Sequence, residues 1–348
     1  MAIDVTVLGA GIFGLSCGWA MARRGARVRI IDPHGVGAGA SGGVVGALAP
    51  HVPEQWNDKK AFQLDSLLMA DTWWGAVEAA GGKPSGYGRT GRLQPIADED
   101  ALIRAETRAA SARQFWPSDI HWTVTDAPEW APPSATGKVI HDTLSARIHP
   151  AQACAALAEA LRSAGAEIGV DGKASGTVLH ATGWQGLAGM QDAQGRAAGN
   201  GVKGQAALLD FDRRRMPQLY IDGLHIVPHA DGTTAIGSTS ERDFTTPDGT
   251  DQQLDDVLAR AVAAMPVLAD VPVLARWAGV RPRARSRAPL LGHWPGRSGH
   301  FIANGGFKIG FGMAPKVAEV MADLILEGQD AIPEAFTTDG LAPGATQD

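Results

Sequence analysis

The sequence predicts an α/β protein (α+β overall) in which a parallel sheet with flanking helices is interleaved with a second, antiparallel sheet. Residues 3–31 follow the order strand, glycine-rich turn, helix and strand, and residues 300–327 return to the order strand, turn and helix. Residues 202–238 instead contain several short strands and the hairpin signal Asp231-Gly232. Helical crossovers join parallel strands and tight turns join antiparallel ones, so the two patterns indicate two different sheets.

The opening residues carry the strongest local signal. Ile3–Leu8 is a short run rich in β-branched residues, which is typical of a buried strand. A glycine-rich turn follows, and Leu15–Arg24 is predicted to be a helix because a glycine stands directly after it. Ala26–Ile31 is predicted to be the next strand, with Asp32 at its end. The order is that of a Rossmann-like βαβ unit.

The remaining elements follow from helical spacing of apolar residues and from short runs of β-branched residues. The predicted helices are 64–80, 98–115, 150–164, 254–265 and 314–327, and the further predicted strands are 176–180, 202–209, 219–221, 224–228, 233–238 and 300–303. The stretch 117–133 is rich in Trp and Pro and is predicted to be irregular. The tail from Thr337 is small and polar and is predicted to be disordered.

Composition and charge argue against several functional classes. The 348 residues include 31 Lys and Arg against 37 Asp and Glu, a net charge of −6, so we expect no nucleic-acid partner, which would need a basic surface. There is no apolar run of roughly 18 residues and no signal-peptide pattern, so we expect no membrane span and a cytoplasmic location. Cys17 and Cys154 are too few for a disulfide framework or a four-cysteine zinc site, and we expect no metal.

The turn after the first strand predicts a dinucleotide site. Gly9, Gly11 and Gly14 fit G-x-G-x-x-G: the first permits the tight turn, the second lets a pyrophosphate approach the backbone, and the third lets helix and strand pack closely. The helix N-terminus supplies free N–H groups and a partial positive charge to the phosphates. Asp32 ends the next strand and would accept hydrogen bonds from a ribose 2′-hydroxyl.

A second loop of small residues favours FAD over NAD. Residues 35–43 are Gly, Ala, Val and Ser and follow the acidic residue almost directly. A nicotinamide enzyme has no need of such a loop, whereas a flavin extended across the sheet does, because backbone and Ser41 can reach its ribityl–phosphate segment. Ala181-Thr182-Gly183 ends a predicted strand and lets backbone pass close to the adenine half.

With these motifs the sequence resembles the D-amino acid oxidase-type FAD-dependent oxidoreductases, closest to the glycine oxidase and sarcosine oxidase branch. The resemblance rests on Val7–Gly14, Gly39–Pro50, Ile148–Pro150, Val202–Gln205, Trp277–Pro282 and Gly305–Lys308. It implies oxidation of the C–N bond of a small amino acid or secondary amine, with a hydride passing from the carbon next to nitrogen to flavin N5. O₂ or another acceptor would then take the electrons.

The motifs and the resemblance together define a set of expected cofactor-binding residues. They are Gly9, Gly11, Ile12, Phe13, Gly14, Asp32, Pro33, Ala40, Ser41, Gly42, Gly46, Ala47, Leu48, Thr182, Gly183, Gly305, Gly306, Phe307, Lys308 and Ile309. Neither cysteine matches a flavin-linking position, because both fall in predicted helices. We therefore expect FAD to be bound without a covalent bond.

The resemblance also implies two substrate-binding, catalytic residues. Arg281, in Ala-Gly-Val-Arg-Pro, matches the arginine that grips the substrate carboxylate in the glycine oxidase branch. Lys308, in Gly-Phe-Lys, matches the lysine that holds the carboxylate in the sarcosine oxidase branch. A guanidinium suits a carboxylate because its planar fork forms two parallel hydrogen bonds. Arg283, Arg285 and Arg287 stand nearby, and the sequence leaves the anchor open among them.

These predictions imply a division into domains. We expect a discontinuous FAD-binding domain formed by residues 1–82, 146–200 and 276–336, a substrate-binding domain formed by residues 83–145 and 201–275, and a disordered tail at 337–348. Two alternatives to a glycine oxidase-like activity remain open. One is an FAD-dependent oxidoreductase of a hydroxy acid or glycerol phosphate. The other is a flavin-binding protein of the tRNA-modification type. The amine, an oligomeric state and the role of His51 stay undetermined.

Overall fold

A computed structural model describes residues 2–343 and contains three sheets in that range. The strands are, in chain order, β1 Val5–Leu8, β2 Val28–Ile31, β3 Ala47–Leu48, β4 Arg92–Pro95, β5 Trp122–Asp126, β6 Lys138–Asp142, β7 Ala146–Arg147, β8 Glu167–Gly169, β9 Thr177–His180, β10 Gly199–Leu209, β11 Gln218–Ile221, β12 Leu224–Pro228, β13 Thr234–Gly237, β14 Val273–Ala284, β15 Leu290–His293 and β16 His300–Asn304. The α-helices are α1 Ile12–Ala22, α2 Asp58–Gly81, α3 Glu99–Phe115, α4 Pro150–Ser163, α5 Gly183–Gly189, α6 Gln252–Ala264 and α7 Gly310–Ala322.

The first sheet is the parallel one. Its strand order is β15-β16-β9-β1-β2-β8, and the strands are parallel except that β15 pairs antiparallel with β16. The central strand β1 lies between β2 and β9. Helix α1 packs against α4 and α7, and α2 packs against these two helices in turn. All residues of α1 are buried, which explains why this helix is apolar all round rather than amphipathic.

The second sheet has eight strands in the order β14-β10-β13-β12-β11-β4-β6-β5. Neighbours are antiparallel except for β11 and β4. Its longest ladder joins β10 to β14, from Gly199 opposite Ala284 to Leu209 opposite Val273. Helix α6 packs on this sheet through a stripe that includes Leu254, Val257 and Ala261, as its helical spacing predicts.

The predicted fold class is confirmed, and two local predictions are wrong. Residues 117–133 are not irregular throughout, because β5 forms there and pairs with β6. Trp122 of this strand is buried and packs edge-to-face against Trp116. This tertiary contact stabilises the strand, whereas the prolines on either side of it make the sequence look irregular. The chain beyond Thr337 is also ordered where the structure describes it. Thr338 is buried and donates to the carbonyl of His293.

Apolar and backbone contacts explain the order of this terminal segment. Phe336 is fully buried, and Leu341 forms a β-bridge with Asp192. The Ala342 N–H donates to the Gln191 carbonyl at 2.8 Å. The chain after residue 336 is small and polar in composition, but Phe336 and Leu341 hold it against the rest of the protein. The rest of the predicted tail, residues 344–348, lies outside the described residues.

The strands of the two sheets alternate along the chain. The first sheet uses residues 5–31, 167–180 and 290–304, and the second uses residues 92–142, 199–237 and 273–284. We propose two interleaved domains, with residues 276–284 moved to the substrate-binding domain because β14 pairs with β10 along its whole length. Among residues 2–343, every helix is too short or too polar to cross a membrane.

Candidate active site

The glycine turn between β1 and α1 lies directly against the end of β9. Gly9 has φ +110°, and a Cβ there would overlap the carbonyl oxygen of Ala181. A Cβ on Gly14 would overlap the carbonyl oxygen of Gly9. A Cβ on Gly11 would meet only Ser41, at 3.2 Å from its Oγ, so the backbone of Gly11 is open on its other side. Close packing therefore requires glycine at positions 9 and 14, and Gly11 leaves room for a ligand beside its backbone.

Asp32 lies where the sequence predicts it, at the end of β2 beside this turn. Its carboxylate accepts hydrogen bonds from the N–H of Ala10 at 2.8 Å and the N–H of His34 at 3.0 Å. A carboxylate has about four acceptor positions, so two remain for ribose hydroxyls. Asp32 thus holds the glycine turn in place as well as offering acceptors to a ligand.

The loop of small residues covers the beginning of α1. Its residues Ala40–Gly42 form a short 3-10 turn, and Ser41 Oγ accepts a hydrogen bond from the N–H of Ile12 at 3.0 Å. Gly11, the N-cap residue of α1, has no capping side chain of its own. The first turn of α1 therefore keeps N–H groups that a phosphate could satisfy, as the motif predicts.

Gly46 is enclosed by backbone from a distant part of the chain. A Cβ there would overlap the carbonyl oxygen of Ile148, and the Ile148 N–H donates to the Gly46 carbonyl at 2.9 Å. Ala47 and Leu48 continue as β3, which pairs with β7. His229 was not predicted from the sequence. Its Nε2 lies 2.8 Å from the Val44 carbonyl oxygen, so this side chain joins the loop to the second sheet.

The last glycine-rich turn, between β16 and α7, contacts the first one. A Cβ on Gly306 would come within 2.9 Å of the Phe13 ring. Phe307 has φ +43°, an unfavourable conformation for a bulky side chain, and its N–H donates to the Pro282 carbonyl at 3.0 Å. Such strain costs about 1–3 kcal/mol and clusters at functional sites. The hydrogen bond also ties this turn to β14, which carries Arg281.

Asn304 is a second residue that sequence reasoning missed. Its side chain is buried, donates to the Gly183 carbonyl at 2.9 Å and accepts from the Gly305 N–H at 2.8 Å. It therefore connects the turn after β9 with the turn after β16. The one sequence signal that could have identified it is its position as a polar residue at the end of the apolar run Phe301–Ala303.

These contacts bring four of the predicted cofactor-binding turns to one edge of the parallel sheet, whereas Gly46–Leu48 lie at the separate β3–β7 pair. The turns after β1, β2, β9 and β16 all lie at the carboxyl ends of their strands, which is where open α/β sheets bind ligands. An open Gly11 backbone, a helix whose N-cap residue has no side chain, and a carboxylate with spare acceptors fit the phosphates and ribose of FAD. The family model described as "FAD dependent oxidoreductase" (DAO) matches residues 4–324.

The chain belongs to this family of FAD-dependent oxidoreductases. Over 132 residues, 38% of the chain and 36% of the relative, it is 33% identical to the glycine oxidase of Pseudomonas aeruginosa. Over 366 residues, 98% of the chain and 54% of the relative, it is 28% identical to the tRNA 5-methylaminomethyl-2-thiouridine biosynthesis bifunctional protein MnmC of Maricaulis maris. The matches thus span about a third and about half of the length of these relatives.

A solved structure supports the same fold. The glycine oxidase of Geobacillus kaustophilus superimposes with a TM-score of 0.82 at 22% identity, covering 96% of this chain and 97% of that one. Family membership confirms FAD as the cofactor of this oxidoreductase. The individual cofactor contacts inferred above stay predictions.

Arg281 lies in β14, next to the Pro282 carbonyl that binds the last turn. Its guanidinium donates to Ser238 Oγ at 2.7 Å and to the Thr239 carbonyl at 3.3 Å. It lies over bare backbone, since a Cβ on Gly204 would overlap it. Burial lowers the pKa of Arg281 to about 10, and Glu241 opposes this shift. The group therefore remains a cation at neutral pH.

Two further groups lie beside Arg281. Burial lowers the pKa of Lys308, and the charges of Arg281 and Arg283 lower it further, so these cations are neighbours. His225 of β12, which sequence reasoning missed, lies near the same charges. Burial, followed by Arg92, Lys308 and Arg281, lowers its pKa to about 3. A lone histidine in a strand carries no distinctive sequence signal, so only the fold could place it here.

The purified protein is expected to be yellow, with one FAD per chain that heat or acid releases. Cys17 and Cys154 are both buried, and burial raises the pKa of both thiols, to about 12 for Cys154. Neither is the reactive thiolate that a flavin linkage would need. The absorbance of supernatant and pellet after precipitation measures the outcome. Flavin that stays with the pellet would contradict non-covalent binding.

Replacing Asp32 by alanine is expected to weaken FAD binding by about 1–3 kcal/mol, the usual cost of a lost hydrogen bond to a charged group. Titrating apoprotein with FAD measures the affinity, and a thermal melt of the apoprotein reports any loosening of the Ala10 turn. Asp126→Ala removes an exposed carboxylate from the second sheet and serves as the control. Lost turnover with unchanged FAD affinity would show that Asp32 has another role.

Proposed function

We propose that the protein oxidises the C–N bond of a small amino acid or secondary amine that carries a carboxylate, as a glycine oxidase-like enzyme. The observation that supports this proposal is the environment of Arg281. Its guanidinium is partly buried, and the acid that affects its pKa, Glu241, is already engaged by Lys203 at 3.6 Å and Gln205 at 3.0 Å. A cation in such a position is stabilised by an anionic ligand.

The geometry of Arg281 suits a carboxylate in particular. Ser238 and Thr239 orient the guanidinium while using only part of its five N–H donors. The remaining donors can form the paired hydrogen bonds that a planar fork offers to a carboxylate. Lys308 adds a second positive charge on the same side. Of the four candidate arginines, Arg281 is the one that lies over the bare backbone of Gly204.

The residues around Arg281 orient the substrate rather than react with it. When bound, FAD would accept the hydride at N5 from the carbon next to nitrogen, and the imine product would then hydrolyse. His225 stays neutral at neutral pH because its pKa is about 3, so it adds no further positive charge near Lys308 and Arg281. We expect O₂ or another acceptor to reoxidise the cofactor.

A second candidate is supported by the match to MnmC, which covers 98% of this chain. On this reading the chain is a flavoprotein of the tRNA-modification type, and free amino acids would not be its substrates. The net charge of −6 favours the small-molecule proposal, because nucleic-acid binding relies on basic surface.

A panel of substrates under anaerobic conditions is expected to separate these functions. Glycine, sarcosine, D-alanine or D-proline should bleach the visible absorption of the bound flavin if the first proposal holds. Bleaching only by a hydroxy acid or glycerol phosphate would identify the rival oxidoreductase chemistry. Absence of bleaching by every small molecule would favour the tRNA-modification reading. Stopped-flow absorbance records each result.

Arg281→Ala is expected to raise KM for a carboxylated amine by about two to four decades, since breaking a buried ion pair costs ~3–5 kcal/mol and water entry reduces this. Arg281→Lys should recover only part, because a lysine lacks the fork. A carboxylate-free amine of similar size should be affected far less. Steady-state kinetics with both amines provide the comparison.

The control for this variant is Arg276→Ala on the same strand. Arg276 forms an exposed ion pair with Asp255 at 2.7 Å and should leave both KM values near those of the parent. If Arg281→Ala weakens both amines equally, Arg281 supports the fold or the cofactor and the assignment of an amino acid substrate fails.

A further inference from the structure

Residues 202–205 of β10 include two polar side chains that are buried in the second sheet. Lys203 is 2% exposed and Gln205 is 0% exposed. Arg281 of β14 lies opposite Val202, the residue before Lys203. Because successive side chains of a strand point to opposite faces, Lys203 and Gln205 lie on the face of the sheet away from Arg281. A buried ammonium is costly unless acids are paired with it.

Two acids lie beside the ammonium of Lys203, with oxygens of Glu241 at 3.6 Å and of Asp251 at 4.0 Å. Gln205 Nε2 donates to Glu241 at 3.0 Å and to Asp251 at 2.9 Å, and Gln205 Oε1 accepts from the Asp251 N–H at 2.8 Å. Asp251 is also the N-cap residue of α6 and accepts from the Gln253 N–H at 3.0 Å. We call Lys203, Gln205, Glu241 and Asp251 the polar network.

Thr239 connects the polar network with Arg281. Its hydroxyl donates to Glu241 and accepts from the Gln205 N–H at 2.8 Å. Its carbonyl accepts from the Arg281 guanidinium at 3.3 Å. Lys203 and Glu241 also exchange two backbone hydrogen bonds of 2.9 Å, which fix the chain close to Thr239. The polar network therefore holds Thr239 on one side, and Thr239 holds the guanidinium on the other.

The charge of the polar network also acts on Arg281. Burial lowers the pKa of Arg281, and the negative charge of Glu241 opposes that shift. Water screens buried charges much less than exposed ones. An unpaired carboxylate at position 241 would therefore compete with a substrate carboxylate for the positive charge of Arg281, whereas the ammonium of Lys203 offsets it.

We propose that Lys203 and Glu241 are positioning residues for carboxylate binding: they hold Arg281 through Thr239, and Lys203 offsets Glu241 so that the guanidinium stays available to the substrate. This inference rests on the proposed function, in which Arg281 binds the carboxylate. Lys203 itself does not touch the substrate, because it lies on the other face of β10.

Lys203→Met keeps an unbranched side chain of similar length and removes its charge. For the carboxylated amine of the panel that bleaches the flavin fastest, we expect KM to rise about tenfold, the effect of ~1.4 kcal/mol, while kcat changes little. Lys203→Arg keeps the charge and should restore most of the affinity. Steady-state kinetics of the holoenzyme measure both constants.

A binding measurement tests the same role without turnover. Butyrate has a carboxylate and no amine, and butyramide has the same shape without the charge. Their dissociation constants follow from the perturbation of the flavin spectrum. Lys203→Met should weaken butyrate and leave butyramide unchanged. The double variant Lys203→Met/Glu241→Gln removes both charges and keeps an acceptor for the Thr239 hydroxyl, so its affinity for butyrate should return to near that of the parent.

The matched control is Lys138→Met in β6 of the same sheet. Lys138 forms an exposed ion pair with Asp126 at 2.7 Å, and the variant should leave KM and both dissociation constants unchanged. Thermal melts and FAD content verify that each variant is folded. Should Lys203→Met fail to fold, Glu241→Gln alone provides the test. It removes a negative charge near Arg281, so butyrate should bind more tightly than to the parent.

The outcomes separate the two proposals. If Lys203→Met leaves butyrate binding unchanged or weakens butyramide equally, if the double variant does not recover, or if Glu241→Gln binds butyrate less tightly, the positioning role is wrong while the proposed function stands. If no amine of the panel bleaches the flavin of the parent, or if Arg281→Ala weakens amines with and without a carboxylate equally, the proposed function fails and the inference fails with it.

Discussion

The close approach of Gly9 to the Ala181 carbonyl is the constraint on which the site depends. It requires a residue without Cβ at the end of β1, and it brings the turns after the adjacent parallel strands β1 and β9 together. Gly14 then lets α1 start close to the same turn. The N-terminus of α1 consequently points at the edge where a pyrophosphate can approach bare backbone.

The expected cofactor edge and the strand that carries Arg281 are joined through the last turn. Gly306 meets Phe13 on one side, and on the other the Phe307 N–H bonds to Pro282, next to Arg281 in β14. A shift in this turn would therefore move the expected cofactor contacts and Arg281, the proposed carboxylate anchor, together. The positive φ of Phe307 is held by these contacts with α1 and β14, which explains how an unfavourable backbone conformation persists.

Arg281 is available to a ligand because neighbouring groups occupy the nearby acid. Glu241 accepts from Gln205 and lies 3.6 Å from the buried ammonium of Lys203. Without these partners Glu241 could neutralise the guanidinium and close the site to a substrate carboxylate. The same principle separates Arg285, which Asp192 neutralises, from Arg283 and Arg287. The positions of the acidic side chains in the fold therefore decide which arginine has a carboxylate partner.

The sequence alone predicted the features that depend on neighbouring residues. The glycine turn, the strand before it, the helix after it and Asp32 are local, because backbone sterics and helix geometry require particular residues at short spacing. The fold class, FAD and the Arg281 motif followed from these residues and from the resemblance. Tertiary structure decided what depends on distant partners: the bridge made by Asn304, the position of His225, the order of residues 337–343, and the ion pair of Arg285 with Asp192. Such contacts join residues far apart in the chain, and no local pattern encodes them.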